Sequence, residues 1–166
     1  MVRTALLTVS DKGAALMRED ATAQAIRQVL SGGPFVEVDY QLVPDEQAMI
    51  RAKLRLWSDS PNVDLVLTSG GTGLGLRDRT PEATAEVIER QVPGIAEAIR
   101  AHGAAGNPLA YLSRAMAGVR RTTLIVNLPG SPAGASDALK AVVGILPHAI
   151  DVIRGEGRDA PAAWHE

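Results

Sequence analysis

The chain has 166 residues, 46% of them hydrophobic, with 17 basic and 19 acidic residues and a net charge of −2. That composition supports one self-sufficient core and argues against a disordered or disulfide-stapled chain. Cysteine is absent, the three histidines stand apart without ligand spacing, aromatics make up 3%, and no apolar run approaches the roughly 18 residues of a membrane span, so disulfides, thiolate zinc sites, thiol catalysis, single-strand stacking platforms and membrane insertion all lose support.

Met1-Val2-Arg3-Thr4 enters an apolar strand pattern directly and lacks the small-residue cleavage site of a signal peptide, so a cytoplasmic location is expected. Val2–Val9 reads as a buried parallel strand that leaves through polar Ser10-Asp11-Lys12-Gly13. Residues 20–31 place Ile26, Val29 and Leu30 at helical spacing, closed by Ser31-Gly32-Gly33-Pro34. Phe35–Val43 alternates polar and apolar residues, as a strand at a sheet edge does. Pro44-Asp45-Glu46 opens a helix with Ile50, Leu54 and Trp57 on one face, and Val63–Thr68 is a further strand running into Ser69-Gly70-Gly71-Thr72-Gly73.

Thr80-Pro81-Glu82 reads as an N-cap followed by proline at the first helical position, with the helix continuing to about Arg90. A break at Val92-Pro93-Gly94 precedes a helix to about His102, and 103–108 reads as a loop. Beyond Leu109–Met116 a hairpin turns at Arg120-Arg121, with Thr122–Leu128 as its second arm. Pro129-Gly130-Ser131-Pro132 starts a long helix with Ala135, Leu139 and Val142 inward, Pro147 restarts it, and 155–166 is expected to be a loosely attached tail. Strands alternating with helices predict a three-layer α/β sandwich around a mainly parallel sheet, with one antiparallel hairpin strand, formed by a single domain over 1–154. In such a sheet ligands bind beyond the carboxyl ends of the strands, so the site is expected among the loops at Ser10–Gly13, Ser69–Thr80 and Asn127–Pro132.

The glycine run after the third strand is either a tight turn or an anion cradle, since backbone N–H groups approach a phosphate most closely where no Cβ intervenes. Arg77-Asp78-Arg79 and the helix start at Thr80-Pro81 add donors suited to phosphate. The phosphate-loop signature ending in Gly-Lys, the dinucleotide fingerprint (position 76 is Leu76) and the serine-hydrolase elbow (Ser131 is second, not third) are all absent. Asp45 and Asp78 each precede a predicted helix, so each reads as a cap or, if the two converge beside phosphates, as part of a magnesium site. Asn127–Pro132 reads as a strand-to-helix turn or a second anion site.

Six blocks in order then resemble one family. Thr8-Val9-Ser10-Asp11, Val43-Pro44-Asp45-Glu46, the Ser69–Gly73 run, Arg77–Thr84, Leu112–Gly118 and Asn127–Pro132 look like the molybdopterin adenylyltransferases, whose domain also occurs in gephyrin and plant molybdenum-insertion proteins. The resemblance spans about residues 2–154 and implies a molybdopterin-binding-domain fold. It also implies magnesium-dependent transfer of AMP from ATP to the terminal phosphate of molybdopterin with release of pyrophosphate, a homotrimer or a hexamer built from it, and an encounter with a molybdenum-insertion partner. Asp45 and Asp78 match the family's essential carboxylates and would hold the metal. The resemblance assigns Ser10, Asp11, Ser69, Gly70, Gly71, Thr72 and Gly73 to the nucleotide, and Arg77, Thr80, Ser113, Arg114, Pro129, Gly130 and Ser131 to the pterin substrate. Two other functions fit the same scaffold, a non-catalytic pterin carrier and a nucleotide pyrophosphatase. On this reading Gly71→Val weakens ATP binding and leaves the fold largely intact.

Overall fold

β1 (Val2–Val9) shows why the chain forms a layered sheet. Its side chains alternate between faces, Leu6 joining one buried cluster and Ala5, Leu7 and Val9 the other, so both surfaces of the strand are dry. In the computed structural model, which describes residues 1–12 and 20–156, β1 is flanked by β2 (Phe35–Val43) and β3 (Leu65–Ser69). With β4 (Arg90–Gln91), β5 (Ala117–Arg120) and β6 (Thr123–Leu128) they make one sheet in the order β2-β1-β3-β6-β5-β4. β2, β1, β3 and β6 are parallel, and β5 runs against them. The expected three-layer sandwich with one reversed hairpin strand is what the chain builds.

On one face lie α1 (Ala21–Leu30), α4 (Pro93–Gly106), α5 (Pro132–Val142) and α6 (Leu146–Ile153), which bury Ile26, Ile99, Leu139 and Ile150 against Leu6, Leu67 and Val126. On the other lie α2 (Gln47–Ser58) and α3 (Thr80–Ala85), which bury Ile50, Leu54, Trp57 and Ala83 against Leu7, Val66 and Ile125. After β1 the chain adds β2 on one side and then returns to place β3 on the other. That reversal leaves a crevice outside the carboxyl ends of β1 and β3.

Several boundaries differ from the sequence reading, β3 among them, which runs Leu65–Ser69 instead of Val63–Thr68. α3 ends at Ala85, and Arg90–Gln91 leaves it to pair with Val119 and Gly118 of β5 as a short strand whose two exposed residues carry no periodic signal. α4 continues through Gly106, because Gly103 is a packing glycine: a Cβ there would lie 2.9 Å from the Cβ of Ala110 on the 3-10 helix Pro108–Leu112. Finally, Thr80 is the first residue of α3 and Arg79 its N-cap, since the Thr80 hydroxyl donates instead to Gly70 O at 2.8 Å. The expected tail falls mainly at 157–166, outside the described residues. Among the described residues, no helix is long and apolar enough to cross a membrane.

Candidate active site

The exits of β1 and β2, the loop after β3 and the starts of α1 and α5 surround a cavity of about 630 Å³. Ser10, Asp45, Gly70, Gly71, Asp78 and Gly130 all line it.

Asp45 follows Pro44 at the end of β2, and its position is locked by reciprocal bonds with the exit of β1. Asp11 N donates to Asp45 Oδ2 at 2.9 Å, and Asp45 N donates to Asp11 Oδ1 at 2.9 Å. The N-cap of α2 is Glu46, and no side chain caps that helix. Asp78 likewise caps nothing: Gly75 N donates to its Oδ2 at 2.8 Å, and Asp78 N returns a bond to Gly75 O at 3.0 Å. Both capping alternatives fall, and each carboxylate keeps an oxygen that no hydrogen bond among the described residues engages.

The glycines make room for these carboxylates. A Cβ on Gly73 or Gly75 would lie 2.9 or 2.8 Å from Asp78 Oδ2, and one on Gly71 would lie 3.2 Å from Asp45 Oδ1 while overlapping Thr80 Oγ1. Gly70 and Gly71 also have φ of +98° and +67°, a left-handed backbone that favours glycine. Gly71→Val therefore strains the loop itself, which counts against the expectation of a largely intact fold.

Burial pushes the Asp45 carboxyl above its ordinary range, and the neighbouring charges of Asp11 and Asp78 push the same way against the Asp11 amide and Arg77. Asp11 moves down, because Arg77 grips it with Nε at 2.6 Å and Nη2 at 2.9 Å and because it accepts from the Asp45 amide. Three carboxylates, from Asp20, Asp45 and Asp78, and no lysine or arginine among the described residues line the cavity. Such a donor set fits a hard divalent cation held by one or two carboxylates. No group of three acidic or histidine side chains among the described residues could hold an ion unaided.

A second cavity of about 590 Å³ adjoins the first, lined by Thr72, Gly73, Ser113, Pro129 and Ser131 with Arg100 and Asn107. The glycine run thus serves both spaces, Gly70-Gly71 one and Thr72-Gly73 the other. Ser131 caps α5, accepting from Gly134 N at 3.0 Å. Five predicted residues line neither cavity in this way. Ser69 is buried in β3, Thr80 is turned onto Gly70 O, Asp11 and Arg77 pair at the exposed rim, and Arg114 spends its guanidinium on the chain's own carbonyls and Glu82.

Residues 5–148 match the family model described as "Probable molybdopterin binding domain". The chain belongs to that family. It is 40% identical over 156 residues to the molybdopterin adenylyltransferase of Helicobacter pylori strain J99, covering 93% of this chain and 89% of that protein. Against the molybdopterin adenylyltransferase of Escherichia coli K12 it is 38% identical over 144 residues, 85% and 73% of the two chains. Its fold is similar to the crystal structure of the molybdopterin biosynthesis enzyme MoaB from Thermus thermophilus, with a TM-score of 0.89, 56% identity and coverage of 95% and 99%. The molybdopterin biosynthesis Mog protein of Mycobacterium ulcerans superposes with a TM-score of 0.86 at 35% identity, covering 92% and 99%.

One wall of the first cavity has no motif in the sequence. Asp20 caps α1 by accepting from Ala23 N at 3.0 Å, and it also accepts from the Tyr40 hydroxyl at 2.7 Å. Burial and the Asp20 carboxylate push Tyr40 up to about 12, so it stays a donor. Thr22 ties the same helix to Gly130 O at 3.0 Å. The only local signal was an aspartate one residue before an amphipathic run, which reads as a cap and nothing more.

Proposed function

We propose that this chain is a molybdopterin adenylyltransferase, which transfers AMP from ATP to the terminal phosphate of molybdopterin and releases pyrophosphate. The observation that carries the reading is that Asp45 and Asp78, neither of them a helix cap, face one cavity bordered by glycine backbone and adjoining a second cavity. The first cavity suits the nucleotide phosphates, and the second, with Ser113 and Ser131, suits the pterin substrate.

The nucleophile is a phosphate monoester oxygen, already anionic near neutral pH, so no general base is needed. It attacks the α-phosphorus, and the α–β P–O bond breaks with its electron pair leaving on pyrophosphate. The obstacle is repulsion between two anions, and catalysis is positioning plus charge stabilisation. Asp45 and Asp78 would hold magnesium, which supplies positive charge to the phosphates when bound. The reciprocal Asp11–Asp45 bonds hold one carboxylate in place, and the Gly75–Asp78 bonds hold the other. At the start of α5 the Ala133 amide is the first-turn donor beside the second cavity, since Pro132 has no N–H and Ser131 takes the Gly134 and Ala135 amides.

The reading brings a homotrimer in the cytoplasm and delivery of the adenylylated pterin to a molybdenum-insertion partner. Light scattering at micromolar protein checks the trimer, and a monomer there contradicts it. Pyrophosphate release, assayed with ATP and magnesium in the presence and absence of molybdopterin, tests the activity. Release that requires molybdopterin is expected. Tight pterin binding without release makes the chain a carrier, and hydrolysis without pterin makes it a pyrophosphatase.

A further inference from the structure

The loop from Gly73 to Asp78 has little packing to order it. Leu74 is 68% exposed and Leu76 98% exposed, so its tip makes no core contact. Its ends are instead tied by one residue from the segment before β5. Arg114 Nε donates to Gly73 O at 2.8 Å, Nη2 donates to Asp78 O at 2.6 Å, and Nη1 pairs with Glu82 Oε1 on α3. The Arg114 amide adds a bond to Thr72 O at 2.9 Å.

We infer that Arg114, paired with Glu82, is a positioning residue that straps both ends of the 73–78 loop and thereby sets the Asp78 carboxylate against the first cavity. Three of its five N–H donors, one on each nitrogen, are committed to the chain, which directs its action through Asp78. Arginine is required because a planar fork reaches three acceptors at once, which the compact ammonium of lysine does not. Glu82 anchors the fork to α3, and the Asp78 side chain then closes the inner turn on Gly75 N. The magnesium–ATP part of this inference rests on the proposed adenylyltransferase function, while the strap itself does not.

The test uses the full chain and the variants Arg114→Lys and Glu82→Gln. In the ligand-free protein, amide hydrogen exchange at Gly75 and Asp78 should quicken about tenfold or more in both, with Leu67 in β3 unchanged. Calorimetric affinity for magnesium–ATP should fall about tenfold, with molybdopterin affinity retained within about twofold. Unchanged exchange in the loop, an equal rise at Leu67, or quickened exchange with unchanged magnesium–ATP affinity each overturns the inference. Loss of molybdopterin affinity with magnesium–ATP binding kept also overturns it, by making Arg114 a direct ligand donor. A wild-type chain that binds no magnesium–ATP sinks the functional reading instead, and the exchange arm then decides the strap alone.

Discussion

Two aspartates at opposite ends of the sheet sit in opposite electrostatic settings, one neutralised within the fold and the other left beside a cavity. Asp64, before the amino end of β3, is buried and fully satisfied. Arg3 reaches it with Nε at 2.9 Å, Nη2 at 2.7 Å and its backbone N at 2.8 Å, and Arg154 adds Nη2 at 2.5 Å. Burial alone would raise the Asp64 carboxyl, but the hydrogen bonds from Arg3 and Arg154 hold it well below the carboxylate range. Asp45, at the carboxyl end of β2, is half-buried with Asp11 and Asp78 as charged neighbours, and its carboxyl is raised. One end of the sheet neutralises its charge internally, and the other gathers three carboxylates on one cavity, the kind of perturbed setting that functional sites favour.

The contrast breaks first at turnover. Asp78→Asn and Asp45→Asn should each lower pyrophosphate release by about 10²–10³-fold with the fold retained, since the amide keeps the shape and removes the charge. A quenched-flow or coupled pyrophosphate assay at saturating magnesium checks this.

The opposite end should show its effect in stability. Asp64→Asn is expected to lose about 2 kcal/mol at neutral pH by denaturant titration, because charge-assisted bonds to two arginines weaken together. The sign with pH follows from the depressed carboxyl. The stabilisation is fully present above the ordinary value of 3.8 and is lost as pH falls through the lower folded value, so variant and wild type converge in acid.

A smaller effect belongs to the glycine loop. Gly71→Ala should cost about 1–2 kcal/mol through its left-handed backbone, with further strain where the new Cβ meets Thr80 Oγ1. Thermal melts check it, and an unchanged midpoint would mean the loop relaxes freely.

Much of this architecture is legible locally. Period-two alternation marks β2, the dry apolar run marks β1, and Pro132 behind Ser131 marks the start of α5. The glycine run and the aspartates of the loops fall where the cavity lies, although singly each also reads as a turn or a cap. What was illegible depends on partners far away in the chain. β4 is two residues that become a strand only against β5, and Gly103 looks like a helix end until Ala110 packs on it. Arg114, which the resemblance assigns to the pterin substrate, instead holds the carbonyls of Gly73 and Asp78, two groups 41 and 36 residues away in the chain. The Arg3–Asp64–Arg154 cluster joins three separate segments and leaves no motif at all.

The smallest and most direct effect is the stability of Asp45→Asn in the metal-free protein. A carboxyl raised by folding makes the folded state bind its proton more tightly than the unfolded chain, so its contribution to stability falls as pH rises from the ordinary carboxylate range through the folded value. At neutral pH the charge opposes folding, and replacing it with a neutral amide that still accepts the Asp11 N–H removes that opposition. The thermal midpoint of Asp45→Asn at neutral pH should therefore equal or slightly exceed that of the wild type, within about 0.5 kcal/mol on the stabilising side. A fall of the size expected for Asp64→Asn would make Asp45 a structural anchor and contradict its assignment to the chemistry of the site.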